Sequence, residues 1–265
     1  MIIMPAMRGL LKKTSSSVVL PDIWLKFNAP AGCSSPSHFL ENSGSGSYPS
    51  GFISEETNCA SYVTVNSPYT PNSSSIYLPS DSSTHSGADL VYSNQVGFTA
   101  KYETENFTIK MWIKVSLDNM GIFLHLYNNQ AANYGLYLRR EDSAYGADGN
   151  KILLLCCTNQ NNLVFAHSAA VATNGTWVFL VLTRTFANSI YTYRLYLNGS
   201  DTPSASIDGW VIPGLNSINI GSSAAGIIAD SYNAAYDFSG YVADFRMYNN
   251  IISLTKPTNI DDLTI

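Results

Sequence analysis

"FSGYVADFRMYNN", residues 238–250, reads as a strand with an ion pair set into it. By the two-residue period of extended chain, Tyr241, Ala243, Phe245 and Met247 fall on one face. Val242, Asp244, Arg246 and Tyr248 fall on the other. Asp244 and Arg246 are thus two positions apart on one face, close enough for long side chains to meet. In so apolar a segment the pair is either a working site or part of the architecture.

The rest of the chain bounds the choice. Its 265 residues allow one large β domain or two small ones, with a sizeable core. Charged residues are 12% of the total, about half the usual ~25%. Ser, Thr, Asn and Gly fill the gap, a surface that suits extracellular, virion or glycan-facing proteins. Net charge is −5, and the one basic cluster, Arg8, Lys12 and Lys13, is near the N-terminus. Phosphate neutralisation needs clustered cations, so nucleic acid is not an expected partner. No run approaches the ~18 apolar residues of a membrane span, so no membrane partner is expected.

The four cysteines, Cys33, Cys59, Cys156 and Cys157, show no metal-ligand spacing. Cys156 and Cys157 are adjacent in a strand and point to opposite faces. Cys33 and Cys59 read as free thiols, with a disulfide between them as the alternative.

Residues 1–20, beginning "MIIMPAMRGLLKK", are apolar first and basic second, the reverse of a secretory signal. They read as an assembly arm docking on a neighbouring subunit. Residues 29–100 are loop-rich, with short strand candidates. From residue 106 the strands are clear, and turn signals every 8–12 residues or so describe an all-β sandwich. Asn198-Gly199 is a hairpin turn signal. Residues 254–265 read as a tail.

Five phrases occur in order: "ENFTIKMWIKV" (105–115), "GTWVFLVLTRT" (175–185), "YTYRLYLNGS" (191–200), "SINIGSS" (217–223) and "FSGYVADFRMYNNIIS" (238–253). Together they resemble the concanavalin A-like jelly rolls of the laminin-G and pentraxin type. The resemblance implies an all-β, two-sheet antiparallel jelly-roll sandwich over residues 21–253, with the N-terminal arm outside it. It also implies that Asp244 and Arg246 are a structural pair on the last strand.

Some enzymes share this fold and carry Glu-x-Asp-x-Glu on one strand, because retaining glycoside hydrolysis needs carboxyls ~5–5.5 Å apart. The nearest stretch here, Glu103-Thr104-Glu105, lacks the middle Asp. No catalytic residue is assigned. His125 and His167 read as hydrogen-bonded strand histidines. The resemblance implies calcium at the sandwich rim, and calcium wants six to eight oxygens from converging loops. The candidates are Asp118 with Asn119, Asp148 with Asn150, Asp230 and Asp237. Trp112, between Lys110 and Lys114, reads as packed under a second layer. Trp210, in the loop "DGWVIPG", is the leading sugar-stacking candidate, with Tyr134, Tyr145 and Tyr232 beside it.

The functional expectation is a non-enzymatic virion structural protein with a lectin-like module, such as a phage tail, fibre or capsid-decoration subunit. Other virion subunits, copies of itself and host-surface glycans are its expected partners. A secreted glycan-binding lectin is the alternative, and a glycoside hydrolase the third reading.

Overall fold

The computed structural model describes residues 19–27, 43–44, 63–64, 67–69, 75–78, 90–92, 105–116, 118, 120–128, 131–159, 162–212, 214–221 and 238–263. The expectations for residues 1–18, Cys33, Cys59, Glu103, Asn119, Asp230, Tyr232 and Asp237 lie outside these residues.

Among the described residues, antiparallel strands form two sheets, as a jelly-roll sandwich requires. The short opening strands are β1 (Ile23–Leu25), β2 (Val63–Thr64), β3 (Ser75–Leu78) and β4 (Leu90–Tyr92). The long ones are β5 (Phe107–Val115), β6 (Gly121–Asn128), β7 (Ala131–Arg140), β8 (Lys151–Asn159), β9 (Asn162–Val171), β10 (Trp177–Ala187) and β11 (Ile190–Leu197). The last three are β12 (Ala205–Asp208), β13 (Ser217–Ile220) and β14 (Gly240–Tyr248). The first sheet runs β12-β11-β10-β5-β14-β3-β2, with β1 also on β14. The second runs β4-β13-β6-β7-β8-β9.

The core lies between the sheets. β5 contributes Phe107, Ile109, Met111, Ile113 and Val115, the alternate positions read from its sequence. Leu124, Leu126, Leu136, Leu138, Leu154 and Cys156 face them from the second sheet. Cys157 belongs to a different cluster, with Tyr137 and Leu155 on that sheet's outer side. The adjacent thiols therefore point apart.

Asn188-Ser189 forms a tight two-residue hairpin between β10 and β11, and Asn198-Gly199 forms the turn that its sequence signals, with the Ser200 N–H donating to the Leu197 carbonyl at 3.1 Å. Asn188 and Ser189 have φ of 53° and 63°, and Ala187 pairs with Ile190 across them. Positive φ at both central residues matches the right-handed twist of the flanking strands. Asn198 and Gly199 also have positive φ, but they open a longer connection, residues 198–204, into β12.

β14 departs from simple alternation. Ala243 pairs with Trp112 and Arg246 with Lys110, so β14 has one residue more than β5 between those points. Asp244 takes the extra place, with φ of 49°. A bulge of this kind leaves two successive side chains on nearly the same side. Val242 therefore shares the core with Phe245 and Met247, while Ala243 joins an outer cluster with Trp112 and Phe179. This corrects the face assignment made from periodicity. Gly240, at the start of β14, is needed for close approach: an added Cβ would meet the Lys114 carbonyl oxygen and, at 2.5 Å, the Phe238 ring.

The bulge puts Asp244 and Arg246 into a buried knot on the outer face of the first sheet. Arg246 donates from Nε to Asp244 Oδ1 and from Nη2 to Oδ2, both at 2.7 Å. Trp24 Nε1 donates to Oδ1 at 2.9 Å and Tyr69 Oη to Oδ2 at 2.5 Å. Trp112 Nε1 donates in turn to Tyr69 Oη at 2.8 Å. Burial, and then the Asp244 carboxylate, push the Tyr69 hydroxyl far above its usual range, which keeps it a donor.

The remaining Arg246 donors bind the carbonyls of Asp262 and Ile260, at 2.5 and 2.8 Å. The segment read as a tail is thus laid across the sheet. Leu254 and Ile260 pack on the Trp112 cluster, Lys256 lies 4.8 Å from the Trp112 ring centre, and Lys26 pairs with Asp261 at 2.8 Å. Trp112 is packed under this second layer, as its sequence context indicated.

Candidate functional site

The outer face of the second sheet carries a different arrangement. Strand register places Arg139 beside Leu153, and Leu153 beside His167. The next row is Tyr137, Leu155 and Phe165, and Cys157 and Leu163 follow. Glu141 continues β7 by one step, its N–H donating to the Lys151 carbonyl at 2.9 Å. The β7–β8 connection brings Tyr145 and Asp148 over the end of these rows. The result is a small pocket of about 50 Å³, lined by Arg139, Glu141, Tyr145, Leu153, Leu155, Leu163, Phe165 and His167.

The pocket has an aliphatic floor and an aromatic rim. Phe165 is 54% exposed, unusual for a Phe. His167 lies between it and Tyr145, with ring centres 5.7 Å and 6.1 Å away. The polar side is an ion-pair chain. Arg139 Nη2 donates to Glu141 Oε1 at 2.9 Å, and His167 Nε2 lies 3.4 Å from the same oxygen. His167 Nδ1 is 3.4 Å from Asp148 Oδ2, and Lys151 donates to Asp148 Oδ1 at 2.8 Å. The Lys151 hydrogen bond, helped by His167, lowers the Asp148 pKa.

Not every buried polar atom here is satisfied. Glu141 Oε2, Arg139 Nε and Tyr137 Oη have no hydrogen-bond partner. Buried polar atoms are nearly always paired, so three together call for an explanation. Burial pushes the Tyr137 hydroxyl up, so it is neutral.

Of the residues chosen from sequence, Tyr145 and Asp148 belong to this locality. Tyr134 is in β7. Trp210 is in the loop after β12, but it is half-buried against the core and its indole N–H has no partner. Asp118 and Asn150 do come together, around a guanidinium. Arg140 Nη1 donates to Asp118 Oδ1 at 2.8 Å, and its Nη2 donates to Asn150 Oδ1 and, at 3.2 Å, to Asn174 Oδ1. Ser143 donates to Asp118 from its N–H and its hydroxyl, and this hydroxyl, with Arg140, lowers the Asp118 pKa. Arg140 thus ties the rim loops together where calcium oxygens were sought. Among the described residues no group of three His, Cys, Asp or Glu side chains is placed to hold a metal ion. Glu105 is exposed, its carbonyl oxygen accepting from Arg184 Nε at 3.1 Å.

Arg139, Glu141 and Phe165 were missed in the sequence. The available signal was a pair of i, i+2 patterns, Arg-x-Glu at 139–141 and Phe-x-His at 165–167. Only the β7–β8–β9 register shows that the two patterns are neighbours.

His125, on the same outer face, has a structural role. It is fully buried and stacks on Tyr137 and Tyr127, with ring centres 3.9 and 4.6 Å away. Burial lowers its pKa from 6.5 to about 3. Between those values the unfolded chain binds a proton that the folded chain excludes. His125 therefore costs no stability above pH 6.5, and stability is lost as pH falls from there towards 3. The slope is about 1.4 kcal/mol per pH unit. Urea unfolding at neutral pH and at about pH 4.5 should show this acid loss smaller by about 2–3 kcal/mol in His125→Gln. Equal losses in the two proteins would rule out His125 as a source of acid lability.

Comparison with known proteins agrees with the architecture. The family profile described as concanavalin A-like lectin/glucanases superfamily, a laminin-G type, matches residues 85–256. The chain belongs to that superfamily. No curated protein matches it in sequence. Among solved structures, a botulinum neurotoxin type C structure, described as showing that cell entry depends on interaction with two ganglioside molecules, is 14% identical, with a TM-score of 0.54. The match covers 89% of this chain and 49% of that one. The binding domain of botulinum neurotoxin DC, in complex with rat synaptotagmin II, is 17% identical, with a TM-score of 0.50 over 78% of this chain and 46% of that one. This chain thus spans about half the length of those toxin chains. The Ruminococcus gnavus sialidase CBM40, bound to α2,3 sialyllactose, is 16% identical, with a TM-score of 0.47 over 68% of this chain and 92% of that one. At these identities the likeness to the two toxin structures is one of fold.

Proposed function

We propose that this chain is a non-enzymatic, glycan-binding structural protein of a virion, of the phage tail, fibre or capsid-decoration kind. One observation carries the binding role: the pocket on the second sheet, where exposed Phe165 and half-buried Tyr145 rim a hollow holding Arg139, Glu141 and His167. Aromatic faces pack on the C–H faces of sugar rings, and a few fixed polar groups orient the hydroxyls. The ganglioside interaction of the similarly folded neurotoxin supports the same reading. The virion setting rests on composition, with only 12% charged residues and a Ser/Thr/Asn-rich surface. Copies of itself and other virion subunits would be its partners.

Printed glycans probed with the purified chain should reveal binding, and Phe165→Ala should weaken it at least about tenfold without changing the melting temperature. Polysaccharides incubated with the chain should release no reducing ends. Release abolished by Glu141→Gln would make it a hydrolase instead. Mass spectrometry of purified particles tests the virion setting, and a chain absent from them would remove it.

A further inference from the structure

Resting on the glycan-binding reading, we infer that the pocket selects an uncharged sugar through its hydroxyls and excludes sugar carboxylates, with Glu141 as the specificity-determining residue. The cations at the site are already engaged by the protein's own carboxylates. Arg139 donates to Glu141 Oε1 and Lys151 to Asp148 Oδ1. His167 lies between those two carboxylates. An incoming carboxylate would meet two acidic groups and have to displace an existing ion pair, so like charge works against it.

The spare hydrogen-bonding capacity has the opposite character. Glu141 is completely buried, lines the pocket, and has Oε2 unpartnered. An ionised carboxylate oxygen accepts and does not donate, so its complement is a ligand O–H. Arg139 Nε and Tyr137 Oη are unpartnered donors in the same two rows. A hydroxyl both donates and accepts, so neighbouring sugar hydroxyls could answer the Glu141 and Arg139 atoms, both residues lining the pocket. A hydrogen bond to a charged acceptor is stronger than one between neutral groups, which is enough to set specificity. The small size of the pocket, about 50 Å³, restricts it to the edge of one sugar residue, with Phe165 left to cover the ring face.

The test uses the whole chain on a biosensor at neutral pH and physiological ionic strength. The probes are oligosaccharides ending in galactose or glucose, and the same chains capped with glucuronic or sialic acid. The expected result is at least tenfold tighter binding to the neutral ends, about 1.4 kcal/mol. Glu141→Gln keeps an acceptor for Arg139 and should weaken neutral binding about tenfold. Asp148→Asn, at the partly exposed rim, releases Lys151 and should raise binding to the acidic ends several-fold, narrowing the preference for neutral ends. It provides a test even if Glu141→Gln fails to fold. Acidic ends bound as tightly as neutral ones would overturn the selectivity and leave the glycan reading standing. Neutral binding insensitive to Glu141→Gln but lost in Phe165→Ala would overturn this assignment alone, and insensitivity to both would place the sugar outside the pocket and overturn the pocket with it. No binding to any probe would remove both.

Discussion

Asp244→Ala is expected to lower the melting temperature by about 6–20 °C, from a loss of about 3–5 kcal/mol. The substitution leaves the Arg246 guanidinium, 1% exposed, without its counter-charge. It also takes the acceptor from Trp24 Nε1 and Tyr69 Oη, two further buried donors. Breaking one side of a buried pair is costly because the remaining charge stays desolvated. Calorimetry checks the size, and glycan binding by the correctly folded fraction should be unchanged, because the pocket is on the other sheet. An unaltered melting temperature with lost binding would make the pair a recognition site.

Truncation after Ser253 should be comparably damaging. It removes the Ile260 and Asp262 carbonyls that accept from Arg246, and the Thr255 carbonyl 3.4 Å from Lys110 Nζ. It also strips Leu254 and Ile260 from the Trp112 cluster. Burial of an apolar side chain contributes about 1.5–3 kcal/mol, so uncovering this patch and removing carbonyl acceptors from two buried cations should cost at least about 4 kcal/mol. The truncated chain should melt more than about 8 °C lower, or aggregate through the exposed aromatic face. Near-normal melting would return residues 254–265 to the status of a tail.

These two expectations concern the stretch from which the fold is legible. The Asp-x-Arg spacing identifies the pair because residues two apart on a strand lie on one side, and the bulge preserves that relation for these two. It does not preserve it for the neighbours. Periodicity placed Val242 with Asp244, whereas Val242 is in the core with Phe245 and Met247. A single residue at φ 49° shifts every face assignment on one side of it, and an Asp at that position resembles any other Asp in sequence. β5 has no such residue, and its five inward side chains were all legible.

The functional face shows the same division more sharply. Tyr145 and Asp148 were within reach of sequence reasoning because turn residues stand out between strands. Arg139 and Glu141 read as the polar end of one strand and Phe165 and His167 as ordinary positions on another, since β7 and β9 touch only through β8. Trp210 drew attention as a loop aromatic, yet its ring packs on the core. By itself the sequence determined the all-β class, the inward faces of the unbroken strands and the Asp244–Arg246 pair, because each follows from local spacing along an extended chain. Only the tertiary structure decided the bulge, the docking of residues 254–263 and the pocket. Each of these depends on hydrogen-bond register and burial between segments distant in sequence, and no local pattern encodes those relations.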